Sequence, residues 1–139
     1  MYGNEDALEY ARRSNQELFI SVQIENVEAL ARVDEIVAVE GFDSIVIGPA
    51  DLANSMGYLG QLDHPKVVAA FGTIIEKTKA ARKFVGMGLG ADENFASQAI
   101  LWGVQWMQVG CDFDYIVQRF EQLVGGIETS ASLSCGRRT

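Results

Sequence analysis

Ser44-Ile45-Val46-Ile47-Gly48-Pro49-Ala50-Asp51 decides how the rest of the chain is read. Ile45, Val46 and Ile47 are apolar without alternation, the pattern of a parallel strand covered on both faces. Gly48-Pro49 ends that strand in a turn, and Asp51 is the first carboxylate beyond it. Upstream, Leu18-Phe19-Ile20-Ser21-Val22-Gln23-Ile24-Glu25 is a similar run with a polar end. Between the two runs, Asn26 suits a helix N-cap, and Val27, Leu30, Ala31 and Val33 supply apolar helical positions. Gly41 closes this unit. Strand, helix and strand in that order make a βαβ element.

Working downstream, a loop with Gly57 and Gly60 leads to Asp63-His64-Pro65, a helix start with proline in its first turn. Val67, Val68, Phe71, Ile74 and Ile75 then recur at helical spacing, with Glu76, Lys77 and Lys79 on the other face. Lys83-Phe84-Val85-Gly86-Met87 predicts a third strand. Asp92 predicts the cap of a helix that stops at Gly103. Val104-Gln105-Trp106-Met107-Gln108-Val109-Gly110 predicts a fourth strand, followed by a helix carrying Ile116, Phe120 and Leu123. A helix over roughly residues 6–13 precedes the first strand. The organisation is one α/β domain over residues 1–128, with residues 129–139 expected as a disordered, frayed tail. Repeated βα units mean parallel strands with helical cover. Either a small open doubly wound sheet or half of an eight-stranded barrel satisfies that pattern.

The 139 residues are enough for one core, and 48% apolar with 22% charged residues is a globular composition. A net charge of −8 argues against nucleic acid and against an anionic membrane surface as partners. No apolar run approaches the roughly 18 residues of a membrane span. The acidic, polar start Met1-Tyr2-Gly3-Asn4-Glu5-Asp6 is unlike a signal peptide. Cys111 and Cys135 lie far apart with no metal-ligand spacing. A soluble protein of the reducing cytoplasm is the expectation.

In parallel α/β folds chemistry sits at the C-terminal ends of the strands. Gln23 and Glu25 share a face there, because they stand two apart on one strand. Asp51 follows the second strand by one turn, and Asp112 follows the fourth. A carboxylate ending an apolar strand is costly to bury unless paired or bound to a cation. Two such carboxylates offer hard oxygen ligands and leave most of an octahedral shell open, which suits Mg²⁺ or Mn²⁺. The residues alone fit a second reading equally well, in which Glu25 caps a neighbouring helix and Asp51 simply starts the next one.

Gln23-Ile24-Glu25-Asn26-Val27-Glu28-Ala29-Leu30, Glu40-Gly41-Phe42-Asp43 running into the Ser44 to Leu52 segment, and Asp63-His64-Pro65 together resemble the HpcH/HpaI aldolase/citrate lyase family. Val109-Gly110-Cys111-Asp112 is similar to a Val-Gly-Ser-Asp turn of its 2-keto-3-deoxy sugar-acid and 4-hydroxy-2-oxoheptanedioate aldolases. The resemblance runs from about residue 2 to residue 124, with Asn26 where this branch has threonine and Cys111 where it has serine. It implies the C-terminal half of a (β/α)8 barrel. It implies that Glu25 and Asp51 are metal ligands, that Gln23 lies beside the metal and a 2-oxo acid such as pyruvate, and that the Ala50 and Asp51 N–H groups hold the substrate carboxylate. It implies a divalent-metal-dependent carbon–carbon lyase in which the metal acts as a Lewis acid toward a pyruvate enolate. The family's base histidine and substrate-binding arginine belong to the other half, so no catalytic residue is assignable here. Three ways of completing the fold follow: two copies pairing (the favoured one), a complementing N-terminal half, or rearrangement to an open sheet. A non-catalytic homologue or subunit, or a member redirected to another enolate reaction as in macrophomate synthase, is the alternative function.

Other candidates carry less. Lys66, Lys77 and Lys79 lie on or beside a helix and Lys83 precedes a strand, the wrong places for a Schiff base. Gly86-Met87-Gly88-Leu89-Gly90-Ala91 formally fits Gly-x-Gly-x-x-Ala, but no acidic residue follows about 20 positions on at a strand end. His64, the single histidine, stands at a helix start. Trp102 and Trp106 are expected as core or interface anchors, and Asp112 as a helix cap.

Overall fold

Four strands lie side by side in the order in which the chain makes them, β1 (Ser21–Ile24), β2 (Ser44–Ile47), β3 (Phe84–Leu89) and β4 (Trp106–Val109). Every neighbouring pair is parallel. The computed structural model describes residues 6–135, with side chains through residue 128. Around the strands run α1 (Ala7–Glu17), α2 (Val27–Ala31), α3 (Val33–Val37), α4 (Pro49–Ser55), α5 (Pro65–Ala80), α6 (Glu93–Trp102) and α7 (Asp112–Cys135). The sequential order excludes the doubly wound alternative, in which strand order reverses at a switch point. Right-handed crossovers repeated without reversal put the helices on one face of the sheet.

Register shows which residues that face owns. Ile24, Ile47, Met87 and Met107 are aligned across the sheet, and Val22, Ile45 and Val85 form the row below. Ile24, Ile45, Ile47, Val85 and Met87 are fully buried, packed with Leu52 of α4 and Val67, Phe71 and Ile74 of α5. The alternate row, Gln23, Val46, Gly86 and Trp106, faces the other way, a bare face in that, among the described residues, none of these side chains joins the buried core. Phe71 also meets Phe95 and Trp102, with ring centroids 6.5 and 5.7 Å away, so Trp102 is a core anchor as expected. Trp106 instead lies on the bare face across Gly86, where a methyl group would overlap its indole. Its indole N–H donates to Ser44 Oγ (2.9 Å), and that hydroxyl donates to the Phe84 carbonyl (3.0 Å).

Local signals explain most boundaries. Asn26 Oδ1 accepts from the Ala29 N–H (2.8 Å), the expected cap. The helix expected there breaks in two at Arg32, whose φ of −110° and ψ of 18° leave the helical region. Asp92 caps α6, and Gly103 ends it with φ of 98°, a left-handed position that favours glycine. Differences lie at element ends. The helix expected over residues 6–13 runs to Glu17, and the third strand extends past Met87 to Leu89. The helical backbone of α7 runs to Cys135, into the tail expected from residue 129. Residues 129–135 contain no proline, and alanine, leucine and serine are tolerated in a helix once it is nucleated. Residues 136–139 of that tail lie outside the described residues. Among the described residues no helix is long and apolar enough to cross a membrane.

Candidate metal and substrate site

At the C-terminal end of β1 the chain alternates a buried Ile24 with two polar neighbours on the bare face, Gln23 and Glu25. Gln23 Nε2 donates to Glu25 Oε2 at 2.7 Å. Gly48, the residue that ends β2, backs this pair closely. A Cβ there would stand 2.7 Å from Gln23 Nε2, 3.0 Å from Glu25 Cβ and 3.3 Å from Glu25 Oε2. Gly48 is itself tied to β1, its N–H donating to the Ile24 carbonyl at 3.1 Å. Glycine is needed here for close approach, since its φ of −94° is open to any residue.

α4 starts on this glycine. Pro49 is preset for a first helical turn, and the Leu52 N–H is the one that returns to the Gly48 carbonyl (2.9 Å). Ala50 and Asp51 therefore occupy first-turn positions whose N–H groups lack an intrahelical acceptor, at the positive end of the helix dipole. Both are exposed. At its far end α4 is braced to the other carboxylate-bearing segment, because Ser55 Oγ accepts from the Val27 N–H at 3.1 Å.

The structure thus brings Gln23, Glu25 and Gly48 into contact and sets Ala50 and Asp51 in the turn that follows. No hydrogen bond joins Asp51 to Glu25 among the described residues. The helix-cap reading fails for Glu25, because Asn26 caps α2 and Glu25 is engaged by Gln23. For Asp51 that reading holds as far as position goes, since Asp51 lies in the first turn of α4, which has no side-chain cap bond. Among the described residues no three or more His, Cys, Asp or Glu side chains converge as a metal set. The donor set at hand is two carboxylates and an amide. That chemistry fits a hard cation that retains several waters, and not a structural zinc, which takes four nitrogen or sulfur ligands.

Gln108 was not singled out from sequence. It lies on the bare face near the same end of β4, with Nε2 donating to the Gly110 carbonyl at 3.3 Å and Oε1 beside Gly88. Its two-residue spacing from Trp106 was the available signal. His64 stands at the N-cap of α5, where Nδ1 accepts from the Lys66 N–H (3.3 Å) and the ring stacks on Tyr58 at 3.8 Å. Lys83 donates to the Phe42 carbonyl (2.9 Å) just before β3 begins. Gly86 and Gly88 lie within β3, not in the turn after it, so they cannot cradle a dinucleotide phosphate. Asp112 opens α7, but the carboxylate that reaches back to the Cys111 N–H is that of Asp114, at 2.8 Å.

Residues 5–118 match the family model described as HpcH/HpaI aldolase/citrate lyase. The chain belongs to this family. It is 42% identical over 120 residues to a pyruvate aldolase of Rhizobium etli, covering 86% of this chain and 47% of that protein. It is 35% identical over 130 residues to a 4-hydroxy-2-oxo-heptane-1,7-dioate aldolase of Shigella flexneri, covering 94% of this chain and 48% of the relative. The crystal structure of an HpcH/HpaI aldolase from Desulfitobacterium hafniense superposes with a TM-score of 0.80 at 30% identity, covering 89% of this chain and 48% of that one. The chain spans about half the length of the curated relatives it matches, and its four βα units are half of a (β/α)8 barrel.

Proposed function

We propose that this HpcH/HpaI chain carries the metal- and 2-oxo-acid-binding half of a carbon–carbon lyase of the class II aldolase type. The observation that carries this reading is the Gln23–Glu25 pair seated on Gly48, immediately before the first turn of α4. Glu25 and Asp51 are the residues that would hold Mg²⁺ or Mn²⁺. The cation, when bound, supplies Lewis-acid polarisation of a 2-oxo group. Gln23 fixes the Glu25 carboxylate and presents an amide to the substrate. The N–H groups of Ala50 and Asp51 receive a carboxylate at the helix start. A small 2-oxo acid such as pyruvate, the compound after which the Rhizobium relative is named, meets both demands. Its reaction class is formation or cleavage of a bond to the carbon next to the oxo group, through the enolate. A soluble, cytoplasmic setting belongs to the same reading. So does completion of the barrel, by a second copy or by a complementing N-terminal half.

A second reading, a fold-retaining subunit without turnover, is favoured by one observation. The single histidine is spent on the α5 cap and on Tyr58, leaving no base assigned beside Glu25. Exchange of pyruvate methyl protons for deuterium, followed by NMR with Mg²⁺ or Mn²⁺ present, separates the two. The lyase reading expects metal-dependent exchange that disappears in Glu25→Gln. Metal binding without exchange selects the non-catalytic subunit.

A further inference from the structure

The row that carries Glu25 continues across the whole sheet. Ile24, Ile47, Met87 and Met107 are aligned. One residue further toward the C-terminal ends stand Glu25, Gly48, Gly88 and Gln108, the last two printed by the register as direct partners. The two inner positions raise no side chain. Glu25 Oε2 stands 3.3 Å from where a Cβ of Gly48 would be. On the next strand, a Cβ at Gly88 would meet only Gln108 Oε1, at 3.8 Å, among the described residues. Adjacent strands are about 4.8 Å apart, so the Glu25 carboxylate and the Gln108 amide oxygen lie within about 12 Å of each other. The neighbours of Gln108 fix which end of its amide faces that gap. Nε2 donates to the Gly110 carbonyl at 3.3 Å and lies 4.0 Å from Cys111 Sγ. A carbonyl oxygen only accepts and a thiol sulfur accepts weakly, so the NH2 end belongs on that side and the oxygen over Gly88. No donor among the described residues reaches Oε1.

We propose that Gln108 Oε1 is the specificity-determining acceptor for the far end of the substrate, and that it selects a 2-oxo acid with a hydroxyl on its fifth carbon. The proposal rests on the function proposed above, in which the 2-oxo acid end lies beside Glu25 and Asp51, and it names the aldehyde partner. An amide oxygen accepts a hydrogen bond and donates none. A hydroxyl end of the substrate gives it a donor. A methyl end gives it nothing, and a carboxylate end brings a second acceptor to the same point. Because neither Gly48 nor Gly88 carries a side chain, a chain of about five carbons has a clear path from Glu25 to Gln108. In a 4,5-dihydroxy-2-oxo acid the bond between C3 and C4 breaks, its electron pair stays on C3 as the enolate, and C4 leaves as the aldehyde carbonyl. The net proton transfer is from the C4 hydroxyl to C3, which yields the 2-oxo acid. The C5 hydroxyl held by Gln108 stays on the aldehyde, so the partner is a short 2-hydroxyaldehyde. This sets the chain apart from the Shigella relative, whose named substrate ends in a second carboxylate.

Three oxamates test it, since these amides keep the 2-oxo acid end and do not close on themselves. N-(2-hydroxyethyl)oxamate, N-propyloxamate and N-(carboxymethyl)oxamate end in a hydroxyl, a methyl and a carboxylate. Calorimetry measures the binding of each to the 139-residue chain with Mn²⁺ present, with oxamate itself as the reference. The hydroxyl compound is expected to bind at least fivefold more tightly than the methyl one, as a site that hydrogen-bonds a hydroxyl rejects the analogue lacking it. The carboxylate compound is expected to be the weakest. Gln108→Leu should bring the hydroxyl preference below twofold and leave the affinity for oxamate unchanged. Gln108→Lys, which replaces the acceptor by a cationic donor, should make the carboxylate compound the tightest of the three. Far-UV circular dichroism checks that both variants keep the fold. Oxamate binding without a hydroxyl preference overturns the inference and leaves the proposed function standing. So does a preference that survives Gln108→Leu. Absence of any Mn²⁺-dependent binding of oxamate overturns the proposed function, and the inference with it.

Discussion

Gly48 governs the site because nothing larger fits between the strand it ends and the Gln23–Glu25 pair. Gly48→Ala should displace the Glu25 carboxylate. We predict at least tenfold weaker Mn²⁺ binding by calorimetry, with an overpacking cost of about 1–3 kcal/mol in urea unfolding. Nothing in the sequence marked this role. Glu25 was legible because a carboxylate at the end of an apolar strand is anomalous by itself, whereas the contact of Gly48 with it exists only once β1 and β2 are paired. A second residue-scale effect lies on α3. The Arg32 guanidinium hydrogen-bonds Glu35 Oε2 at 2.7 Å, and that bond, then the charge attraction, lowers the Glu35 pKa from its ordinary value. A lowered carboxyl pKa means the pair's contribution is present above the ordinary value and is lost as pH falls through the lowered one. In Arg32→Gln the Glu35 titration midpoint, read by NMR, should rise. Both groups are fully exposed, so the melting temperature should barely move.

At the scale of elements, the bare face is held in shape by one hydrogen-bond chain, Trp106 to Ser44 to Phe84, which crosses three strands. Ser44 is fully buried. Ser44→Ala leaves the Trp106 indole N–H without that acceptor, for a cost of about 1–3 kcal/mol and a shift in Trp fluorescence. On the covered face, Phe71 is wholly buried against Phe95 and Trp102. Phe71→Ala should cost about 3–5 kcal/mol in chemical unfolding. The element that holds Phe71, α5, was the easiest to read from sequence, since its apolar period, proline start and basic last turn all agree. α4 was harder. Its seven residues are too short for a helical period to show, and only the Gly-Pro turn pointed to it.

For the molecule as a whole, the sequence announced βα units but left their arrangement open. Apolar runs say that a strand is buried on a face, yet they carry no record of which strand is its neighbour. The order β1-β2-β3-β4 is a property of the packed chain, and it alone separates half a barrel from a doubly wound sheet. That order also gathers the site, since it makes β1 and β2 neighbours and so brings Gln23, Glu25 and the start of α4 to one end. On the proposed function, this end binds a divalent cation through Glu25 and Asp51. Titrating Mn²⁺ into the chain and its Glu25→Gln and Asp51→Asn variants, followed by water proton relaxation or calorimetry, tests this binding. One Mn²⁺ per chain is expected, with at least tenfold weaker binding in each variant and unchanged circular dichroism. Binding that is absent from the parent chain, or equally tight in both variants, would contradict it.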